Sequence, residues 1–163
     1  MEGQKSQKGA NGFVMRRKIY QQLLDWKEKR NGEVALLIEG ARRIGKSYIV
    51  EAFGKKEYKS YLLIDFNKAP EMVREWFDLY LEDLDTLFLY LSQHYKVRLH
   101  ERNSLIILDE IQLCPRARAA IKFLVADGRF DYIETGSLVS IKKNTRSIVL
   151  PSEERSIQMY PMD

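Results

Sequence analysis

A glycine-rich octapeptide constrains this chain more than any other feature of its sequence. Residues 40–47 read Gly-Ala-Arg-Arg-Ile-Gly-Lys-Ser and match the signature G-x-x-x-x-G-K-[ST] of phosphate-binding loops at every fixed position. The apolar run 34–38 before them predicts a buried strand, and residues 48–53 after them predict a helix that ends at Gly54. Strand, loop and helix therefore follow in the order that such a loop requires.

The residue types of the loop predict how it holds a nucleotide. Backbone amides at a helix start point toward one spot, where the helix dipole adds positive charge, so phosphate oxygens bind there. Lys46 is expected to reach the β- and γ-phosphates and to take part in catalysis, and the Ser47 hydroxyl is expected to coordinate Mg²⁺. The other predicted nucleotide contacts are Gly40, Arg42, Arg43, Ile44, Gly45 and Tyr48.

A pair of adjacent carboxylates, Asp109 and Glu110, ends the apolar run 105–108. Successive residues of a strand face opposite sides, so Asp109 can address the Mg²⁺ shell while Glu110 faces the water in line with the γ-phosphate. Asp109 is therefore the second predicted metal ligand, and Glu110 is the predicted catalytic base. A glutamate in this position favours hydrolysis over phosphoryl transfer to a second substrate.

Hydroxyl groups end another predicted strand, over residues 131–135. Because ligands of open α/β sheets lie at strand ends, Thr135 and Ser137 are predicted to lie beside the ligand. By similarity to ATPases that have a polar residue at this strand end, Thr135 or Ser137 is expected to contact the γ-phosphate or the attacking water. A Thr-Gly-Ser turn without a ligand is the alternative.

Strand and helix patterns alternate along the chain. Further helices are predicted over 16–30, 71–81, 84–95 and 115–126, and further strands over 61–66, 147–150 and 156–160. This alternation implies right-handed crossovers and predicts an α/β P-loop NTPase sandwich of three layers, whose mostly parallel central sheet has about five strands. Residues 16–163 are predicted to form this domain, and the polar residues 1–15 a disordered arm.

The composition of the chain limits the cellular environment and the binding partners that we expect for the protein. No apolar run approaches the ~18 residues of a spanning helix, so no membrane is expected. The lone Cys114 excludes an internal disulfide framework and favours a cytoplasmic location, and it is expected to have a packing role. Residues 1–30 hold eight Lys and Arg against three acidic residues. Such an arm can bind nucleic acid electrostatically, but no nucleic-acid motif accompanies it, and a solvated charged face remains the alternative.

An incomplete guanine-recognition motif indicates which nucleobase is bound. Residues 67–70, Asn-Lys-Ala-Pro, are similar to the guanine-reading Asn-Lys-x-Asp, but they have proline in place of the aspartate and follow the second strand. Adenine is therefore favoured over guanine. The predicted cofactors are ATP or ADP with Mg²⁺.

These residues together resemble the prokaryotic ATPases of the AAA+ superfamily that usually carry a C-terminal domain of unknown function. The resemblance covers residues 16–163 and rests on the double arginine of the loop and on residues 57–66, 109–112, 135–137 and 158–163. It implies an ATP-binding core whose relatives continue, past the position of Asp163, into further helices and a second domain. Slow hydrolysis by residues 1–163 alone is therefore expected.

Two classes of function stay open at this stage. One is a Mg²⁺-dependent ATPase that drives or switches an unidentified process. The other is a nucleotide-dependent binding or regulatory module with little turnover, which engages nucleic acid or a protein. Self-association or a protein partner through the missing C-terminal region is left open as well.

Overall fold

The computed structural model describes residues 2–40, 45–137 and 154–159, with side chains for residues 16–40 and 45–137. In chain order its elements are α1 (Glu2–Arg30), β1 (Ala35–Gly40), α2 (Lys46–Glu57), β2 (Ser60–Asp65), α3 (Glu71–Leu79), α4 (Leu84–Tyr95), β3 (Ser104–Asp109), a 3₁₀ turn (Ile111–Leu113), α5 (Pro115–Asp127), β4 (Asp131–Ser137) and β5 (Glu154–Met159). The alternation predicted from the sequence is confirmed. The candidate strand at 147–150 lies outside the described residues.

The five strands form one sheet in the order β2-β3-β4-β1-β5, and every neighbouring pair is parallel. β1 lies between β4 and β5, with Gly40 opposite Ser137 on one side and opposite Met159 on the other. Because all strands run the same way, their carboxyl ends meet at one edge of the sheet. In open α/β sheets this edge is where ligands bind.

Helices cover both faces of the sheet. Along β1, Leu36 and Ile38 face a cluster with α1 and α2, whereas Ala35 and Leu37 face a cluster with α3, α4 and α5. The alternation follows from the period of two along a strand and explains why β1 and β3 are apolar on both sides. The predicted three-layer α/β sandwich is confirmed.

Local sequence signals set several helix ends. The Asp83 carboxylate accepts a hydrogen bond from the Thr86 amide and caps α4. Pro115 occupies the first position of α5, and Gly128 follows its last residue with a φ of 78°. After α1 the chain turns at Asn31 and Gly32, both of which have positive φ.

Two sequence predictions about helix ends are wrong. The backbone is helical from Glu2, so α1 begins before the predicted start at residue 16 and includes residues 2–15 of the segment for which disorder is predicted. No proline interrupts this segment, and lengthening an existing helix needs no new nucleus. Gly54 does not end α2, which continues to Glu57. A Cβ at Gly54 would lie 3.0 Å from the Tyr61 Cβ, so this glycine permits close packing of the helix on the sheet.

Candidate functional site

The start of α2 lies at the carboxyl edge of the sheet, directly after the glycine-rich loop. Gly45 precedes the helix with a φ of 86° and a ψ of 20°, a left-handed conformation that glycine adopts without strain. Gly45 has no side chain that could cap this end, and the first hydrogen bond of the turn runs from the Ile49 amide to the Gly45 carbonyl. The amides of the first helical residues are therefore not used within the helix, which suits an anion.

The ammonium group of Lys46 is held between the ends of two strands. Its Nζ donates hydrogen bonds of 2.9 Å to the carbonyls of Gly40, on β1, and Gly136, on β4. The same Nζ lies 3.8 Å from Oε1 of Glu110, and only 4% of the Lys46 side chain is exposed. A buried cation is thus fixed at the carboxyl edge of the sheet beside the start of α2.

Ser47 and Asp109 meet although they are far apart in the chain. The Ser47 hydroxyl donates to Asp109 Oδ1 over 2.8 Å, and the Thr135 hydroxyl donates to the same oxygen over 2.5 Å. The three side chains come from the start of α2 and from β3 and β4, which are neighbours in the sheet. This brings the two predicted metal ligands, Ser47 and Asp109, into contact.

Glu110 is held through both its backbone and its side chain. Its φ of 57° and ψ of 53° are left-handed, which is unusual for a residue other than glycine. Its backbone amide donates to the Thr135 hydroxyl over 3.0 Å, and its Oε2 accepts a hydrogen bond of 2.5 Å from the side-chain amide of Gln112. The carboxylate is thereby directed toward Lys46 instead of continuing along the strand.

These groups border a cavity of about 480 Å³ at the start of α2. Its lining residues are Gly45, Lys46, Ser47, Tyr48, Asn67, Asp109 and Glu110. Six of these seven were predicted as site residues from the sequence.

Not every predicted site residue takes part in this geometry. Gly40 contributes a carbonyl to Lys46. Ser137 is buried, and its hydroxyl makes no hydrogen bond to a side chain or backbone group of the described residues. Thr135 is therefore the hydroxyl that contacts the Asp109 carboxylate and the Glu110 backbone amide. Arg42, Arg43 and Ile44 lie outside the described residues, and their roles stay predictions.

Two residues of the site were missed from the sequence, Asn67 and Gln112. Asn67 follows β2 at the same sheet edge, and its place directly after a predicted strand was the available signal. Gln112 lies two residues after Glu110, and its contact depends on the left-handed turn at Glu110. No local sequence pattern predicts such a turn.

Outside this cavity, the described residues show no second reactive site. Cys114 is buried, and burial raises the pKa of its thiol, which agrees with the predicted packing role. Within the described residues, no three His, Cys, Asp or Glu side chains form a cluster suited to a metal ion. None of the described helices is both long and apolar enough to cross a membrane.

The parallel sheet and the site at its carboxyl edge define a P-loop nucleotide-binding domain. A family model described as an AAA domain matches residues 33–163, and the chain belongs to this family. An AAA-type core of this kind implies nucleotide binding.

Other comparisons add little to this assignment. The structure of C. elegans PCH-2 matches with a TM-score of 0.41 and 13% identity, over 96% of this chain and 42% of that one. This chain therefore spans less than half the length of that protein. No curated protein matches the sequence.

Proposed function

We propose that this chain binds ATP with Mg²⁺ at the carboxyl edge of the sheet and hydrolyses it. The observation that carries the proposal is the continuous hydrogen-bonded chain from Ser47 through Asp109 and Thr135 to Glu110, which lies beside Lys46. It joins groups suited to metal binding with a carboxylate suited to activating water.

The phosphates would lie at the start of α2. The helix-start amides and Lys46 supply positive charge there, and Lys46 is already desolvated, so its interaction with a phosphate is screened less than at the surface. Among its partners are two neutral carbonyls and a carboxylate 3.8 Å away. A phosphate would therefore offer Lys46 a stronger partner than either carbonyl.

The residues present fit a magnesium ion. Ser47 Oγ and Asp109 Oδ1 lie 2.8 Å apart, and both are hard oxygen ligands. Mg²⁺ is commonly held by one or two such groups together with water and substrate phosphates, so a larger carboxylate cluster is not needed. When bound, the ion would supply charge neutralisation for phosphoryl transfer.

Glu110 would act as the base that orients the attacking water. Its Oε1 lies near Lys46, so the carboxylate is close to the position proposed for the γ-phosphate. Its amide is bound by Thr135, which also donates to Asp109. Thr135 would therefore act as a positioning residue that fixes the distance between the base, Glu110, and the metal ligand, Asp109.

The experiment that tests this function is a phosphate-release assay. We expect the protein to release phosphate from ATP when Mg²⁺ is present and to stop when EDTA is added. Asp109→Asn should shift the Mg²⁺ concentration that gives half-maximal binding upward by about tenfold, because one charged oxygen ligand becomes neutral. Tight ATP binding without phosphate release would contradict hydrolysis and favour the nucleotide-dependent binding module.

The hydrogen bond from Gln112 to Glu110 allows a more specific prediction about Glu110 as the catalytic base. Gln112→Leu removes the hydrogen bond to Glu110 Oε2, so the carboxylate loses its orientation. We expect kcat to fall about tenfold, which corresponds to about 1.4 kcal/mol, with the Kd for ATP within twofold. Leu113→Ala is the matched control, because it shortens an exposed side chain of the same 3₁₀ turn and keeps the backbone hydrogen bond from the Leu113 amide to the Glu110 carbonyl. An unchanged kcat in Gln112→Leu, or an equal loss of affinity, would contradict this role.

A further inference from the structure

The edge of the sheet opposite the proposed phosphate site carries an excess of positive charge. Because neighbouring strands are parallel, the segments that lead into β1, β2, β3 and β4 meet at one edge. The six residues before each of these strands hold eight Lys and Arg against four Asp and Glu, over 29–34, 54–59, 98–103 and 125–130. The other residues of 16–40 and 45–137 hold eleven against fifteen. The excess is therefore local, and we call these four segments the amino edge.

Hydrogen bonds join the segments of the amino edge. The Arg102 guanidinium donates to Asn31 Oδ1 over 3.2 Å and to the Gly128 carbonyl over 3.1 Å. The Ser60 hydroxyl, at the start of β2, donates to the Arg98 carbonyl over 2.6 Å. Cations that are far apart in the chain therefore lie on one continuous face.

Most cations of the amino edge have no carboxylate partner. Arg102 pairs with Asp131 over 2.8 Å, and Arg129 pairs with Asp127 over 3.0 Å. The other six are exposed, and none of them forms an ion pair with another described residue: Lys29, Arg30, Lys55, Lys56, Lys59 and Arg98. Their charge is therefore available to an anionic partner.

Two of these six cations lie beside the same imidazole. Partial burial lowers the pKa of His100, and the Lys59 and Arg98 cations lower it further. Like charges held close together repel, and bound negative charge relieves this repulsion. Because the six cations are spread over three segments, a partner with many negative charges in a row complements them better than a single small anion.

The other side chains of the amino edge indicate which polyanion fits. A protein that binds a membrane surface presents apolar side chains that insert, and one that binds single strands presents aromatic rings on which bases stack. None of the large hydrophobic side chains that are exposed in the described part of the chain belongs to the amino edge. A nucleic-acid duplex keeps its bases stacked inside and is held through its phosphates by Lys and Arg. The chemistry of this edge therefore favours a duplex.

We propose that the amino edge binds the phosphate backbone of a nucleic-acid duplex without reading its sequence. The six residues of β1 separate this edge from the carboxyl edge by about 20 Å, so a duplex and a nucleotide can be bound together. The proposal does not depend on the proposed function, because none of the six cations lines the phosphate cavity.

The test measures binding of the whole chain to fluorescein-labelled DNA and RNA duplexes of arbitrary sequence, by fluorescence anisotropy at several salt concentrations. The variant combines Lys29→Gln, Lys55→Gln and Lys59→Gln, whose side chains are exposed and outside every ion pair of the described residues. For about six phosphate contacts, the logarithm of the association constant should fall with the logarithm of salt concentration with a slope of about −5. In the variant the slope should be about −3, and Kd at about 100 mM salt should rise about 100-fold.

The matched control combines Lys18→Gln, Lys68→Gln and Lys122→Gln, which removes the same charge from exposed lysines outside the amino edge. It should keep the slope of the unmodified protein. Equal weakening in both triple variants would overturn the proposal, since net charge alone would then explain binding. No binding of either duplex by the unmodified protein, or tighter binding of a single strand or of phosphatidylserine vesicles, would overturn it as well.

Two further measurements separate this surface from the fold and from the nucleotide site. Thermal unfolding of both triple variants checks that the fold is retained. The amino-edge variant should bind ATP as the unmodified protein does, so a loss of duplex binding with unchanged ATP binding supports the proposal. A loss of both together would show that the substitutions act through the whole domain and would overturn the assignment to this edge.

Discussion

Lys46→Ala is expected to abolish the thermal stabilisation of the protein by ATP. The ammonium group is buried at the start of α2, and Lys46 is the one cationic side chain among the described residues that line the cavity there. A ligand at 100 times its Kd stabilises a folded protein by about 2.7 kcal/mol. For a chain of this size the midpoint of unfolding should rise by about 5–10 °C in the unmodified protein and should not rise in the variant.

The controls for this prediction separate the charge from the packing. Lys55→Ala removes an exposed lysine from the last turn of the same helix and should leave the stabilisation intact. Lys46→Met keeps most of the buried stem while removing the charge, and it should lose the stabilisation as Lys46→Ala does. Each variant is compared with its own midpoint without ligand. An ATP-induced rise in Lys46→Met equal to that of the unmodified protein would contradict the phosphate site.

Glu110→Gln is expected to lose hydrolysis and retain binding. The glutamine keeps the size of the side chain and its place beside Gln112 and Lys46, but it removes the charge that would polarise water. General base catalysis contributes about 10²- to 10⁴-fold, so kcat should fall within this range while the Kd for ATP stays within threefold. Steady-state phosphate release and equilibrium titration of ATP measure the two quantities.

Glu101→Gln is the matched control, because it makes the same chemical change at an exposed residue before β3. It should leave both kcat and Kd unchanged. A Glu110→Gln variant that turns over at the unmodified rate would show that another group activates the water. A large loss of affinity would place Glu110 among the binding groups.

Much of the secondary structure could be predicted because its signals are local. The spacing of apolar residues predicts the helix over 84–95 and α4 has these bounds, with Leu87, Phe88 and Leu91 buried. The Gly128 stop after α5 likewise depends on one residue and its immediate neighbours. Gly54 shows the limit of such signals, since the sequence indicates a helix end but not the closeness of Tyr61, which keeps the glycine inside a helix.

The sequence alone also determined the class of site, because the residue types and their spacing in the loop and in the Asp109–Glu110 pair are specific to phosphate and metal chemistry. Tertiary structure decided which residues of that site touch. Thr135 and not Ser137 reaches Asp109, 26 positions away, because β3 and β4 are neighbours in the sheet. Strand order depends on how whole layers pack, and the left-handed turn that brings Gln112 to Glu110 depends on the contacts around it. Neither is encoded by a short pattern, since both result from the burial and hydrogen bonding of residues distant in the chain.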